Sequence, residues 1–263
     1  MQNVVFMLNI KAEKGELTRD HTSAFDYGVK SWEKWCEKNN VKHIVLSEQI
    51  HDSSYMVPNW QKWYVYDLLD NEGIDYDKVL VVDADTIIHP DCPNFFDMIT
   101  DDELGLVVND GCYEWVWRDI KNYSQLFDKN VKVNQWEYFN SGFMLLGKNN
   151  KKFIKDVLEW YHSNSDVINQ VKGQFMTSTE QGPLNYLTRK HNVNLKFLPT
   201  AFNLQDLHRK TLLYHHPQCW WPDELIFLDV GWIYHFNAIP DNQLGRDLEY
   251  WMKRTYNELY GGE

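Results

Sequence analysis

Apolar and polar positions divide this chain into short apolar runs separated by amphipathic and polar stretches. Val4 to Ile10 (VVFMLNI) is a nearly unbroken apolar run, and Val41 to Leu46 (VKHIVL), Val79 to Val82 and Leu104 to Val108 (LGLVV) are further short runs. Runs of four to eight residues rich in Val and Ile predict strands covered on both faces, as in a parallel sheet. Between the first two, Phe25, Gly28, Val29, Trp32, Trp35 and Cys36 recur at three and four, which predicts an amphipathic helix over Ser23 to Lys38. The chain therefore opens strand–helix–strand, a βαβ unit with parallel pairing. Pro58 to Asn71 reads as a helix that stops before Gly73, Phe95 to Ile99 as a short helix, and Tyr113 to Phe127 as a helix rich in Trp and Tyr. Phe139 to Leu146 (FNSGFMLL) is a strand with a polar break at its start. Lys151 to His162 puts Phe153, Ile154, Val157, Leu158 and Tyr161 on one helical face, whereas Asp166 to Thr177 is polar and reads as a loop able to close over a ligand. Glu180 to Lys190 is a helix, Val193 to Leu198 a strand, and His208 to Glu224 irregular around Trp220-Trp221. Ile226 to Phe236 is an apolar run ending near His235, and a terminal helix starts at Gly245. No internal repeat or low-complexity linker interrupts residues 1–263, so the expectation is one α/β domain.

The most informative run is Lys78 to His89, KVLVVDADTIIH. Asp83 and Asp85 fall where its strand leaves the core, and the carboxyl edge of an open α/β sheet is where ligands bind. Side chains two apart on extended chain point the same way, so both carboxylates can reach one site. Two close carboxylates repel, and a divalent cation with a preference for hard oxygen ligands, magnesium or manganese, resolves the repulsion. The plainer reading is a strand that ends in solvated aspartates. Three later motifs bear on the choice. Gly142 in Asn140-Ser141-Gly142 would let backbone approach a ligand closely, and Asn140 offers both a donor and an acceptor. Glu180-Gln181-Gly182 opens a helix, where Glu180 suits either a site or a simple cap. His235, after the last apolar run, is reasonable as a third ligand to manganese beside two carboxylates.

Charge and cysteine usage narrow the classes. A net charge of −12 argues against a non-specific nucleic-acid or anionic-membrane surface. The four cysteines have neither C-x-x-C nor metal spacing, which suits a reducing cytoplasm. The N-terminus reads as neither signal peptide nor anchor, and no stretch approaches the roughly 20 apolar residues of a spanning helix, so stable membrane insertion is not expected.

Taken in order, Asp83-Ala84-Asp85-Thr86, Asn140-Ser141-Gly142, Glu180-Gln181 and His235-Phe236 resemble the nucleotide-sugar glycosyltransferases of the GT-A fold, most closely glycosyltransferase family 8, the group of glycogenin and the lipopolysaccharide galactosyltransferases. The resemblance covers roughly residues 4 to 240. It implies a Rossmann-like GT-A fold with a mixed, mostly parallel central sheet and helices on both faces. It also implies a donor-binding half over about 1–110 and an acceptor-side half over about 111–263. The cofactor would be Mn2+ or Mg2+, and the donor a nucleoside diphosphate sugar, UDP-sugar first. Asp83, Asp85 and His235 would hold the metal. Asn9, Ile10, Lys62, Asp83, Ala84 and Asp85 would line the donor nucleotide, Lys62 standing where the family has an Arg near the phosphates. Asp110, Asn140, Glu180 and Gln181 would face the donor sugar and carry catalysis.

The chain departs from the pattern in Glu180, where Asp is usual, in Gly182-Pro183, where a second acid is usual, and in His235-Phe236-Asn237-Ala238-Ile239-Pro240, which lacks the H-x-x-G-x-x-K-P-W lysine that touches the diphosphate. The expected reaction is metal-assisted sugar transfer to an acceptor hydroxyl, with retention if the family-8 likeness holds and inversion if Glu180 serves as a base. The acceptor would be a glycan, a lipid-linked glycan, a protein or a hydroxymethylated base in nucleic acid, the last disfavoured by charge. Tyr113 to Trp117 and Trp220-Trp221 are the candidate acceptor contacts. The rival functions are a nucleotide-sugar hydrolase or nucleotidyltransferase, against which the single glycine of Ile10 to Arg19 counts, and a non-catalytic glycan-binding protein.

Overall fold

The computed structural model describes residues 2–10, 22–175, 177–213, 224–240 and 246–261. The stretch Lys11 to Asp20, the Trp220-Trp221 pair and Gly245 lie outside them. The first strands and helices follow the apolar pattern closely: β1 (Gln2–Leu8), α1 (Thr22–Lys38), β2 (Lys42–Leu46), α2 (Pro58–Gln61) running through a 3-10 turn into α3 (Val65–Asn71), and β3 (Tyr76–Asp83). Then come β4 (Thr86–Ile88), β5 (Glu103–Val108), α4 (Tyr113–Tyr123), β6 (Phe139–Leu146), α5 (Lys151–Phe175), α6 (Gln181–Lys190), β7 (Asn194–Phe197), β8 (Ile233–His235) and α7 (Leu248–Tyr260).

Six strands form one sheet in the order β2-β1-β3-β6-β5-β7. β1 pairs in parallel with β2 and β3, and β5 with β7, whereas β6 runs antiparallel to both β3 and β5. Unbroken apolar runs are explained by the two faces. Val4, Phe6, Val79 and Val81 pack with Trp60, Trp63 and the α5 residues Phe153 and Val157. Their neighbours Val5, Met7, Leu80 and Val82 pack on the opposite face with Trp32, Trp35 and Phe95. Each such side chain contributes roughly 1.5–3 kcal/mol by leaving water. Among the described residues no helix is long and apolar enough to cross a membrane.

Two features place the site. First, because β6 is the reversed strand, its beginning lies at the carboxyl edge of its neighbours. Val82 pairs with Phe143, so the next step sets Asp83 against Gly142. Second, β4 and β8 form a small antiparallel ribbon in which Thr86 pairs with His235 and Ile88 with Ile233. The ribbon folds the late His235 back onto the D-x-D segment, and the Phe236 N–H donates to the Asp85 carbonyl at 2.8 Å. Gly28 of α1 permits this packing, since a Cβ there would stand 2.2 Å from the Ala84 carbonyl oxygen.

Two expectations are corrected. Asp166 to Phe175 is not a loop but the second half of α5, a 25-residue helix. Ile168 and Val171 continue the buried spacing of Tyr161 after a polar turn, and Val171 closes a small core with Tyr123 and Tyr186. Tertiary burial of these few apolar residues overrides the polar average of the segment. The apolar run from Ile226 is likewise not one strand: it is a 3-10 turn, Ile226–Asp229, followed by β8.

Candidate active site

The carboxyl edge of β3 and the start of β6 gather most of the expected residues. Asp83, Asp85 and His235 each offer a ligand atom, and these atoms all lie within 4.8 Å of one another. His235 is buried, with Nε2 3.1 Å from Asp85 Oδ1. Burial alone would lower the imidazole pKa, yet the adjoining Asp85 carboxylate holds it above its ordinary value. Burial works the other way on Asp85, but His235 wins and keeps that carboxyl below the usual range. Asp83 is raised, by burial first and then by the neighbouring Asp85 and Glu180 charges. Gly142 gives the cluster its room: a Cβ there would meet His235 Cε1 at 2.3 Å and Asp83 Oδ2 at 2.9 Å. Two carboxylates and one imidazole in this arrangement suit an oxygen- and nitrogen-ligated divalent cation.

Lys62, from the turn between α2 and α3, is buried beside this cluster. Its ammonium meets Asp83 Oδ1 at 2.8 Å, Glu180 Oε1 at 2.9 Å and the Ser141 carbonyl at 3.2 Å. Three acceptors answer its three N–H groups. Burial pushes its pKa down, but the two carboxylates more than reverse that and keep it charged. Glu180 has its side chain turned away from the helix that follows it, making no cap hydrogen bond. It instead accepts from Lys62 and from Ser141 Oγ at 2.9 Å. The start of α6 is capped by Ser178, whose hydroxyl accepts from the Gly182 N–H at 2.8 Å.

Gln181 accepts from the Ser141 N–H at 3.1 Å, while its buried Nε2 has no partner among the described residues. Asn140 is buried, and its Oδ1 accepts from the Gly142 N–H at 2.9 Å. Asn185 fixes the strand start, exchanging hydrogen bonds of 3.0 Å with both the N–H and the carbonyl of Phe139. Asn9, past the end of β1, is buried with an unpartnered Oδ1, and Ile10 follows it half-buried. Ala84 is buried under the D-x-D turn against α1. Asp110 stands apart, paired at 2.5 Å with Lys210, which also donates to the Gln205 carbonyl at 2.9 Å.

These residues lie on elements from both ends of the chain, and residues 2–219 match the family model described as glycosyl transferase family 8. The chain belongs to glycosyltransferase family 8. No curated protein sequence matches it. In fold this family-8 enzyme is similar to a glycosyltransferase involved in the glycosylation of the major capsid of PBCV-1, at 8% identity and a TM-score of 0.59, over 97% of this chain and all of that one. It is also similar to the WbbM bifunctional glycosyltransferase, at 12% identity and a TM-score of 0.51, over 98% of this chain and 50% of that one. At such identities the likeness speaks for the GT-A fold alone.

Two site residues of the family-8 enzyme carry no signal that sequence reasoning used. Asn203 touches both His235 and Asn140. Asp119, on the buried face of α4, accepts from Tyr138, from the Ser178 N–H at 2.7 Å and from Ser178 Oγ at 2.8 Å, and so anchors the turn that presents Glu180 and Gln181. A carboxylate spaced three and four from Val116 and Tyr123 was the one available hint.

Proposed function

We propose that this glycosyltransferase binds a nucleoside diphosphate sugar, UDP-sugar first, together with Mn2+ or Mg2+, and transfers the sugar to an acceptor hydroxyl with retention of configuration. The observation that carries the reading is the Asp83–Asp85–His235 cluster at the carboxyl edge of the sheet, beside unpartnered polar atoms of Asn9 and Gln181. Asp83, Asp85 and His235 would hold the cation, which when bound acts as a Lewis acid toward the leaving diphosphate. Asn9 Oδ1 is a buried acceptor suited to a base or ribose donor group, and Gln181 Nε2 a buried donor suited to a sugar oxygen. Asn140 would orient the sugar from the start of β6, with Asp110 at its rim.

Retention is supported by what holds Glu180. Lys62 and Ser141 both hold Oε1 of Glu180, which fixes the carboxylate in place as the counter-charge of Lys62. Lys62 acts on the donor through Asp83 and Glu180, its three donors being engaged within the protein. The chemistry of bond cleavage then falls to preorganised charge, often the largest catalytic term. The exposed rings of Tyr113 and Trp136, 5.2 Å apart, and exposed Trp117 stand on elements leading from Asp110 and into Asn140, and they support an acceptor that presents sugar rings.

The test is turnover of a panel of nucleotide sugars with glycan, lipid-linked glycan, protein and hydroxymethylated-base acceptors, the product anomer being read by NMR. A UDP-sugar consumed only with a divalent cation, giving the donor's own anomeric configuration, is the expected result. Inverted product would overturn the assignment of Glu180, and consumption without any cation would overturn that of the Asp83–Asp85–His235 cluster.

A further inference from the structure

Asn203 is fully buried in a 3-10 turn, Thr200–Asn203, and its two polar atoms face two different parts of the site. Nδ2 donates to Asn140 Oδ1 at 3.1 Å, and Oδ1 lies 3.1 Å from His235 Nδ1. The orientation of this amide follows from a neighbouring backbone group. The Gly142 N–H donates to Asn140 at 2.9 Å, so the Asn140 atom it meets is the carbonyl oxygen. That oxygen requires a donor from Asn203, which makes the facing atom the NH2 group. The remaining Asn203 atom, an oxygen that can only accept, is the one turned to His235. Nδ1 of His235 therefore carries a hydrogen, and Nε2, 3.1 Å from Asp85 Oδ1, is the nitrogen whose lone pair is available to a cation. One backbone N–H thus selects a histidine tautomer through two amides.

We infer that Asn203 is a positioning residue with two arms: its oxygen holds His235 with Nε2 toward the cation, and its NH2 holds the Asn140 carbonyl so that the Asn140 NH2 is left for the donor sugar. The inference rests on the metal and donor reading above. The Asn140 NH2 makes no hydrogen bond to any described residue, while its oxygen has two donors. Outer partners that fix a ligating histidine typically change metal affinity 10- to 100-fold when removed.

Two variants separate the arms. Asn203→Asp keeps the acceptor toward His235 but sets an oxygen against the Asn140 oxygen. Asn203→Leu removes both arms at similar size. Mn2+ affinity, read from the paramagnetic resonance of the free ion, should fall about 10- to 100-fold in Asn203→Leu and stay within about threefold of wild type in Asn203→Asp. UDP-sugar affinity at saturating Mn2+ should weaken in both. Nitrogen-15 spectra of histidine-labelled wild type, without metal at a pH where the ring is neutral and with Mg2+, should show His235 protonated at Nδ1 alone. Equal Mn2+ affinity in Asn203→Leu and wild type would overturn the inference, as would equal losses in both variants. A wild-type His235 protonated at Nε2 alone would overturn it even if Asn203→Leu fails to fold. A wild type that binds no Mn2+ would instead overturn the functional reading, while the metal-free spectrum still decides the role of Asn203 in setting the tautomer.

Discussion

Two lysine–aspartate pairs, one in the candidate site and one standing apart from it, differ in burial and in what else surrounds them. At the β3–β6 seam, Lys62 is 1% exposed and meets three acceptors, two of them carboxylates. At the rim, Lys210 is 18% exposed and Asp110 31%, and the ammonium meets one carboxylate and one carbonyl. The first pair is built into the core, so removing one partner strands buried charge. The second is partly open to water, so on the proposed donor reading a substrate hydroxyl would take over one partner at small cost. The same two residue types would then serve as a strut in one place and as an exchangeable contact in the other.

That contrast is open to measurement, and the largest effect belongs to the strut. Lys62→Met should lower stability by about 3–5 kcal/mol in denaturant titration, because Asp83 and Glu180 lose their common counter-charge. Adding Glu180→Gln should recover part of the loss; no recovery would mean that Lys62 contributes by packing rather than charge.

Next in size is a half-buried histidine with one ring nitrogen buried and without a partner among the described residues. His43 in β2 has an unpartnered Nε2, and burial lowers its pKa from 6.5 to about 4. A depressed folded-state value means that the neutral ring's contribution is present above pH 6.5 and is lost as pH falls toward 4. His43→Leu should flatten that part of the stability–pH curve by up to roughly 3 kcal/mol.

Smaller again is Gly142→Ala. The added methyl must displace His235 or Asp83, which should cost about 1–3 kcal/mol of stability and abolish stabilisation by Mn2+. The smallest effect on the fold is expected at the rim: Lys210→Met should change stability by less than about 1 kcal/mol while raising the donor KM about tenfold, seen in initial-rate kinetics. A rim variant that unfolds the protein as severely as Lys62→Met would erase the distinction between the pairs.

Much of this architecture is legible in the chain. The runs at Val4, Val79 and Leu104 read as doubly covered strands because both faces of the sheet are packed. Asp83 and Asp85 read as a strand-end pair because their strand ends at the sheet edge. The reversal of β6 was not carried by any local pattern, since an apolar run looks the same in either direction. It is nevertheless what sets Gly142 against Asp83. The length of α5 was hidden by a polar turn between two stretches of buried residues. Asn203 and Asp119 were hidden for a related reason: each is a single polar residue whose role lies in partners far along the chain.

The central claim is that Asp83, Asp85 and His235 form a cation site on which donor binding depends. Thermal unfolding of wild type and Asp85→Asn, with UDP-sugar and Mn2+ added singly and together, tests it most directly. A ligand at 100 times its Kd adds about 2.7 kcal/mol to the folded state. The expected result is a large stabilisation of wild type that needs both ligands and is lost in Asp85→Asn. Stabilisation by the nucleotide sugar alone, equal in the two proteins, would contradict the claim.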